Sequence, residues 1–280
     1  MNPHGFNHDR MNEESLSRTD VPVVLSIGGS DSGGGAGIQA DLKTYSSLGV
    51  YGTTVITCVT AQTPTEVRSI EPVSPDLVTE QIRAVSNGFP IAVAKTGMLY
   101  SAEIIERVAR ADVNQGIPIL VVDPVMVAAS GARLLQSNAI DAMKDQLLPL
   151  ARVVTPNVYE AEILTGHTIA SIEELKQAAR EIGDRYDVAC VAKGGHMDGD
   201  EVVDILYDEG EFYSFACSRV HAKETHGAGC VFSAAIASYL AHGSLLTEAV
   251  ERAKEYVRHA LEHALLIGHH APMNLFNPPE

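Results

Sequence analysis

From Val21 onward, short runs rich in Val and Ile alternate with longer segments whose apolar residues recur every three or four positions. Repeated β-α units of this kind fold into a mostly parallel sheet covered by helices. The strand candidates are Val23 to Ile27, Thr53 to Thr60, Ile91 to Lys95, Ile119 to Val122, Val153 to Thr155 and Val188 to Ala192. Helical faces are marked by Leu77, Ile82 and Val85, by Ile104, Ile105 and Val108, and by Leu175, Ala178, Ala179 and Ile182. A hairpin is expected from Val202 to Tyr207 and Glu211 to Phe215, then two closing helices, Gly229 to Ala241 and Leu246 to Leu266. No composition break marks a boundary, so the expectation is one α/β domain over 21–280, three-layer α/β/α with a central mostly parallel sheet. The polar start, 1–20, reads as a disordered tail.

Composition narrows the partners. The chain carries 36 acidic and 20 basic residues, a formal charge of −16, which disfavours nucleic acid and anionic membranes, since both demand clustered Lys and Arg. Any phosphate must then be held locally by backbone amides, a few lysines or a metal ion. Cys58, Cys190, Cys217 and Cys230 lie far apart without a C-x-x-C pair, which suits a reducing cytoplasm better than a disulfide framework or zinc site. No apolar run reaches the roughly 20 residues of a membrane span.

In an open parallel sheet ligands bind beyond the carboxyl ends of the strands. Here those ends carry Gly28 to Gly37, Ala61-Gln62, Thr96-Gly97-Met98, Asp123-Pro124, Thr155 to Glu160, and Lys193-Gly194-Gly195-His196. No G-x-x-x-x-G-K-[ST] occurs, which excludes a P-loop, and the first glycine cluster lacks G-x-G-x-x-G spacing. The second cluster, Gly227-Ala228-Gly229, opens a helix of small and apolar residues. Unpaired amides at such a start form an anion site, with a tight turn into a buried helix as the plain alternative.

These residues together resemble the ribokinase-like superfamily, and within it the hydroxymethylpyrimidine/phosphomethylpyrimidine kinases of thiamine biosynthesis. The specific pieces are Gly29 to Asp41, Thr60-Ala61-Gln62, Lys95 to Leu99, Asp123-Pro124-Val125-Met126, Thr155-Pro156-Asn157, Lys193 to His196 and His226 to Cys230. The resemblance implies ATP-dependent phosphorylation of 4-amino-5-hydroxymethyl-2-methylpyrimidine and then of its monophosphate. It places Gln62 on the aminopyrimidine edge, Asp31 and Ala36 near the ring, and Met98 and Val125 as apolar walls. For ATP it implies Asn157, Lys193, Thr225, Gly227 and Gly229, with Glu160, and secondarily Asp123, toward Mg²⁺. It also implies a homodimer.

In the wider superfamily an Asp, acting as base, stands where this chain has Cys230, after the anion-hole residues Gly227, Ala228 and Gly229. A helix N-terminus should lower the thiol's pKa, so Cys230 reads either as a base or as a packing and anion-hole residue. Two departures from the family pattern stand out: Thr63-Pro64 after Gln62, and a C-terminal His269-His270 that reads as surface histidines. A pyridoxal kinase of the same branch is the nearest rival, and Gln62 favours the pyrimidine. A non-catalytic nucleotide- or pyrimidine-binding protein, or a nicotinamide-dependent oxidoreductase, is the reading from a different class.

Overall fold

The structure is a computed structural model that describes residues 20–126, 134–136 and 138–279. All of the expected 1–20 tail but Asp20 lies outside these. Nine strands form one sheet in the order β3-β2-β1-β4-β5-β6-β7-β8-β9. They are β1 (Val23–Asp31), β2 (Tyr51–Thr63), β3 (Glu66–Pro72), β4 (Ile91–Thr96), β5 (Leu120–Val122), β6 (Val153–Val154), β7 (Ala189–Ala192), β8 (Glu201–Asp208) and β9 (Glu211–Ser218). Strands β2, β1, β4, β5, β6 and β7 pair in parallel; β3, β8 and β9 are antiparallel additions at the two edges.

Successive residues of the inner strands are buried on opposite faces, which is why these strands read as continuous Val/Ile runs rather than alternating patterns. Leu25, Ile27, Ala94, Val122 and Val154 face α2 (Pro75–Gly88), α3 (Ala102–Gln115), α4 (Ala139–Ala142), α5 (Val158–Thr165) and α6 (Ile172–Tyr186). Val24, Val93, Val121, Val153 and Val191 face α1 (Gly37–Ser47), α7 (Ala228–Ala241) and α8 (Leu246–Glu262). The expected three layers are therefore present.

Three local expectations are corrected. Strand β2 runs past Thr60 to Thr63 and turns at Pro64-Thr65 into β3, a strand the apolar pattern did not reveal because Glu66–Pro72 is an edge strand rich in exposed charge. On α2 the buried face is Val78 and Ile82, while Leu77 is 54% exposed. The last helix ends at Glu262 rather than Leu266, and the chain turns so that Leu265 donates to Pro272 O. The β8-β9 hairpin turns at Glu209-Gly210, both at positive φ (51° and 87°), the backbone that suits a tight two-residue connection.

Candidate active site

The chain reverses direction across the sheet between β1 and β4: β2 lies on one side of β1 and β4 on the other. Such a switch point opens a crevice at the strands' carboxyl ends. A cavity of about 800 Å³ lies there. Its lining brings together every residue to which the resemblance gives a role: Asp31, Ala36, Gln62, Met98, Asp123, Val125, Asn157, Glu160, Lys193, Thr225, Gly227, Ala228, Gly229 and Cys230.

At one end, Asp31 closes β1 and shapes the first glycine loop. Its Oδ1 accepts from Gly33 N (2.8 Å), and its Oδ2 accepts from Ala36 N (2.8 Å) and Gly35 N (3.1 Å). His226 Nε2 lies 3.1 Å from the same Oδ2. Burial alone would raise this carboxyl, but the His226 contact and the loop amides outweigh it and hold Asp31 below the usual range. Gln62, inside β2 rather than in a loop after it, places its side-chain amide 3.3 Å from His226 Nε2 and 3.1 Å from Thr60 Oγ1. Met98 packs with Cys58 and Leu134, and Val125 rests on that cluster, giving the cavity an apolar side.

At the other end lies the start of α7. Gly227 caps it at φ +82°, and a Cβ there would stand 1.9 Å from Gly35 O. Only glycine lets the two loops meet this closely. Ala228 N closes on Thr225 O and Val231 N on Gly227 O, leaving the amides of Gly229 and Cys230 for a ligand. A Cβ on Gly229 would sit 3.3 Å from Lys193 Nζ, so that ammonium faces the helix start directly. Lys193 Nζ is 3.2 Å from Asp123 Oδ1, and Ser233 Oγ donates to Asp123 Oδ2 at 3.2 Å.

Asn157 and Glu160 form a capping box on α5: Asn157 Oδ1 accepts from Glu160 N (3.0 Å), and Glu160 Oε2 accepts from Asn157 N (2.9 Å). Burial pushes the Glu160 carboxyl up to about 7; Lys193 pulls it down, and Asp123 adds repulsion. One ammonium thus pairs with Asp123 and acts at longer range on Glu160. The two carboxylates fit Mg²⁺, which takes one or two carboxylates and completes its shell with water and substrate phosphates. Among the described residues no group of three His, Cys, Asp or Glu gathers, so no all-protein cage competes with this arrangement.

Cys230 overturns one expectation. Burial pushes its thiol up to about 11, although Lys95 and the Gly37 amide pull it down. The helix N-terminus therefore does not leave a thiolate, because the site removes the solvation an anion needs. His270, meanwhile, pairs with Glu224 at 2.9 Å and His269 is exposed, as expected of surface histidines.

A model of the phosphomethylpyrimidine kinase family matches residues 31–274. The chain belongs to that family. It is 44% identical to the hydroxymethylpyrimidine/phosphomethylpyrimidine kinase of Haemophilus influenzae, over 91% of this chain and 97% of that one. It is 47% identical to the thiamine biosynthesis bifunctional protein ThiED of Geobacter sulfurreducens, covering 90% of this chain but only 51% of that protein, about half its length. The pyridoxal kinase of Staphylococcus aureus, solved with AMP-PCP and pyridoxal, superimposes with a TM-score of 0.84 at 35% identity, over 91% and 94% of the two chains.

Several polar groups of this cavity had no role assigned from the sequence. Lys95 is buried at the cavity floor and bonded to both oxygens of Asp41 (2.9 and 2.8 Å). A lysine inside the apolar run Ile91–Thr96 was the available signal. Asp204 on β8 accepts from Gly194 N (2.9 Å) and from Lys254 Nζ (2.7 Å), so the turn after Lys193 is tied to a helix distant in sequence. His226 was visible as part of a motif, but its contacts were not.

Proposed function

We propose that the chain is an ATP-dependent kinase that phosphorylates 4-amino-5-hydroxymethyl-2-methylpyrimidine and then its monophosphate, with 21–280 as one kinase domain. The observation that carries this reading is a single cavity with Gln62 at one end and the α7 start facing Lys193 at the other. Gln62 offers a donor and an acceptor to the aminopyrimidine edge, and Met98 and Val125 flank the ring. The amides of Gly229 and Cys230, with Lys193, Asn157 and Thr225, take the ATP phosphates. Glu160 and Asp123 would hold Mg²⁺, which would supply charge neutralisation to the phosphates.

In each step an acceptor oxygen forms a bond to the γ-phosphorus while the bond to ADP breaks. In the first step the hydroxymethyl proton passes to solvent, directly or by way of the transferred phosphoryl oxygens; the monophosphate oxygen of the second is already ionised. One site serving both is consistent with positioning and charge stabilisation rather than a strong base, and with a protonated Cys230. We further infer a reducing, cytoplasmic setting, from four free cysteines with no C-x-x-C pair, and a homodimer, as the family resemblance implies. No helix among the described residues is long and apolar enough to cross a membrane.

The structural likeness to a pyridoxal kinase keeps one second reading, in which pyridoxal is the acceptor. Incubation with ATP and the hydroxymethylpyrimidine, followed by mass analysis, should show monophosphate and then diphosphate. ATP hydrolysis with the pyrimidine recovered unchanged would contradict the assignment.

A further inference from the structure

His226 meets two partners at one ring nitrogen, and the hydrogens there can be placed by elimination. Its Nε2 lies 3.1 Å from Asp31 Oδ2 and 3.3 Å from the Gln62 amide. Asp31 is an acceptor, already bonded to the amides of Gly33, Gly35 and Ala36, so Nε2 must carry the hydrogen. That holds whether the ring is neutral or charged. With the Gln62 –NH₂ facing it, two donors would meet. With the amide turned over, Nε2–H points between Asp31 Oδ2 and Gln62 Oε1, and both accept.

Thr60 gives an independent check. Its hydroxyl has one hydrogen but two oxygens near it, Ser30 O at 2.9 Å and the outer Gln62 amide atom at 3.1 Å. If that outer atom is nitrogen, Gln62 donates to Thr60 Oγ1 and Thr60 donates to Ser30 O, and every group is satisfied. If it is oxygen, two acceptors compete for one hydrogen. Gly35 leaves the ring its space, since a Cβ there would come within 3.0 Å of His226 Cδ2.

We infer that His226 is a positioning residue for substrate selection: its Nε2–H locks the Gln62 amide with oxygen toward the glycine loops and nitrogen toward Thr60. The free donor and acceptor of Gln62 then stand in one fixed order along the cavity wall. An aminopyrimidine, whose ring nitrogen and exocyclic amine also come in one order, is read in a single orientation. This rests on the proposed role of Gln62 and deepens it, and it joins the acceptor end of the cavity to the motif that holds phosphate.

Calorimetric binding of hydroxymethylpyrimidine and of AMP-PCP to four single variants and one double variant tests this. His226→Ala should weaken the pyrimidine by roughly 5- to 10-fold, the size of one net hydrogen bond, and leave AMP-PCP unchanged. His226→Gln, which can return an N–H to the Nε2 position, should restore binding, whereas His226→Asn, with its N–H one bond short, should not. Gln62→Leu should weaken the pyrimidine, and adding His226→Ala should cost nothing more, because the pair acts as a unit. Nitrogen-15 shifts of the unaltered protein should show Nε2 protonated. Loss in Gln62→Leu with none in His226→Ala, additive losses in the double variant, or a bare Nε2 would overturn the inference and leave the role of Gln62 standing. No loss in Gln62→Leu would remove both.

Discussion

Cys230 lies in the first turn of α7 and Glu160 in the first turn of α5, and burial acts on both in the same direction. For Cys230 the thiol stays protonated at neutral pH, so Cys230→Ser should cost far less than the roughly 10²-fold or more that loss of a general base causes, with no new limb in the pH–rate profile. A fall of that size would restore the thiol as base. For Glu160 the sign follows from the raised carboxyl. The folded state keeps the proton up to about 7, while the unfolded chain releases it near the ordinary 4.5. Between those values the folded state binds more protons, so stability falls as pH rises across the window and the penalty is complete above it. Glu160→Gln should remove that fall, seen as a higher melting temperature than the parent at pH 8 but not at pH 4. Through its link to the metal it should also raise the Mg²⁺ concentration for half-maximal activity roughly 10- to 100-fold.

The meeting of two glycine-started elements, α1 and α7, brings the two ends of the site into contact. Gly227 sits in the left-handed region, against Gly35 O, at the head of a helix whose residues Val231 to Leu240 are all buried. Gly227→Ala should cost about 1–2 kcal/mol from backbone conformation alone, and more from the clash, read as a lower denaturation midpoint with ATP affinity lost. An unchanged midpoint would show that the loops can separate. The same elements show what a sequence can reveal. Strands buried on both faces were legible as Val/Ile runs, and the strand-end rule located much of the lining, though not Asp204 or the α8 residues Lys254 and Arg258. Strand β3 was not legible because Glu66, Arg68 and Glu71 sit on an exposed edge with no apolar face to mark them. Nor were the links of His226 to Gln62 and Lys254 to Asp204, which join residues 164 and 50 positions apart. The Cys230 shift was missed because a helix N-terminus is readable in one dimension and burial is not.

Across the whole molecule, the switch point between β1 and β4 gathers groups from both halves of the chain, so a bound ligand should stabilise the sheet as a whole rather than one loop. AMP-PCP with Mg²⁺ at a hundredfold excess over its dissociation constant should add about 2.7 kcal/mol, visible as a raised melting temperature that chelation by EDTA largely abolishes. A shift indifferent to EDTA would remove the metal role of Glu160 and Asp123. The central claim is the choice of acceptor, since the same architecture is found in a pyridoxal kinase. It is tested most directly by kcat/KM from coupled ADP release with hydroxymethylpyrimidine, its monophosphate and pyridoxal side by side. Turnover of both pyrimidines with a higher kcat/KM than pyridoxal is the predicted result; a higher value for pyridoxal would contradict it.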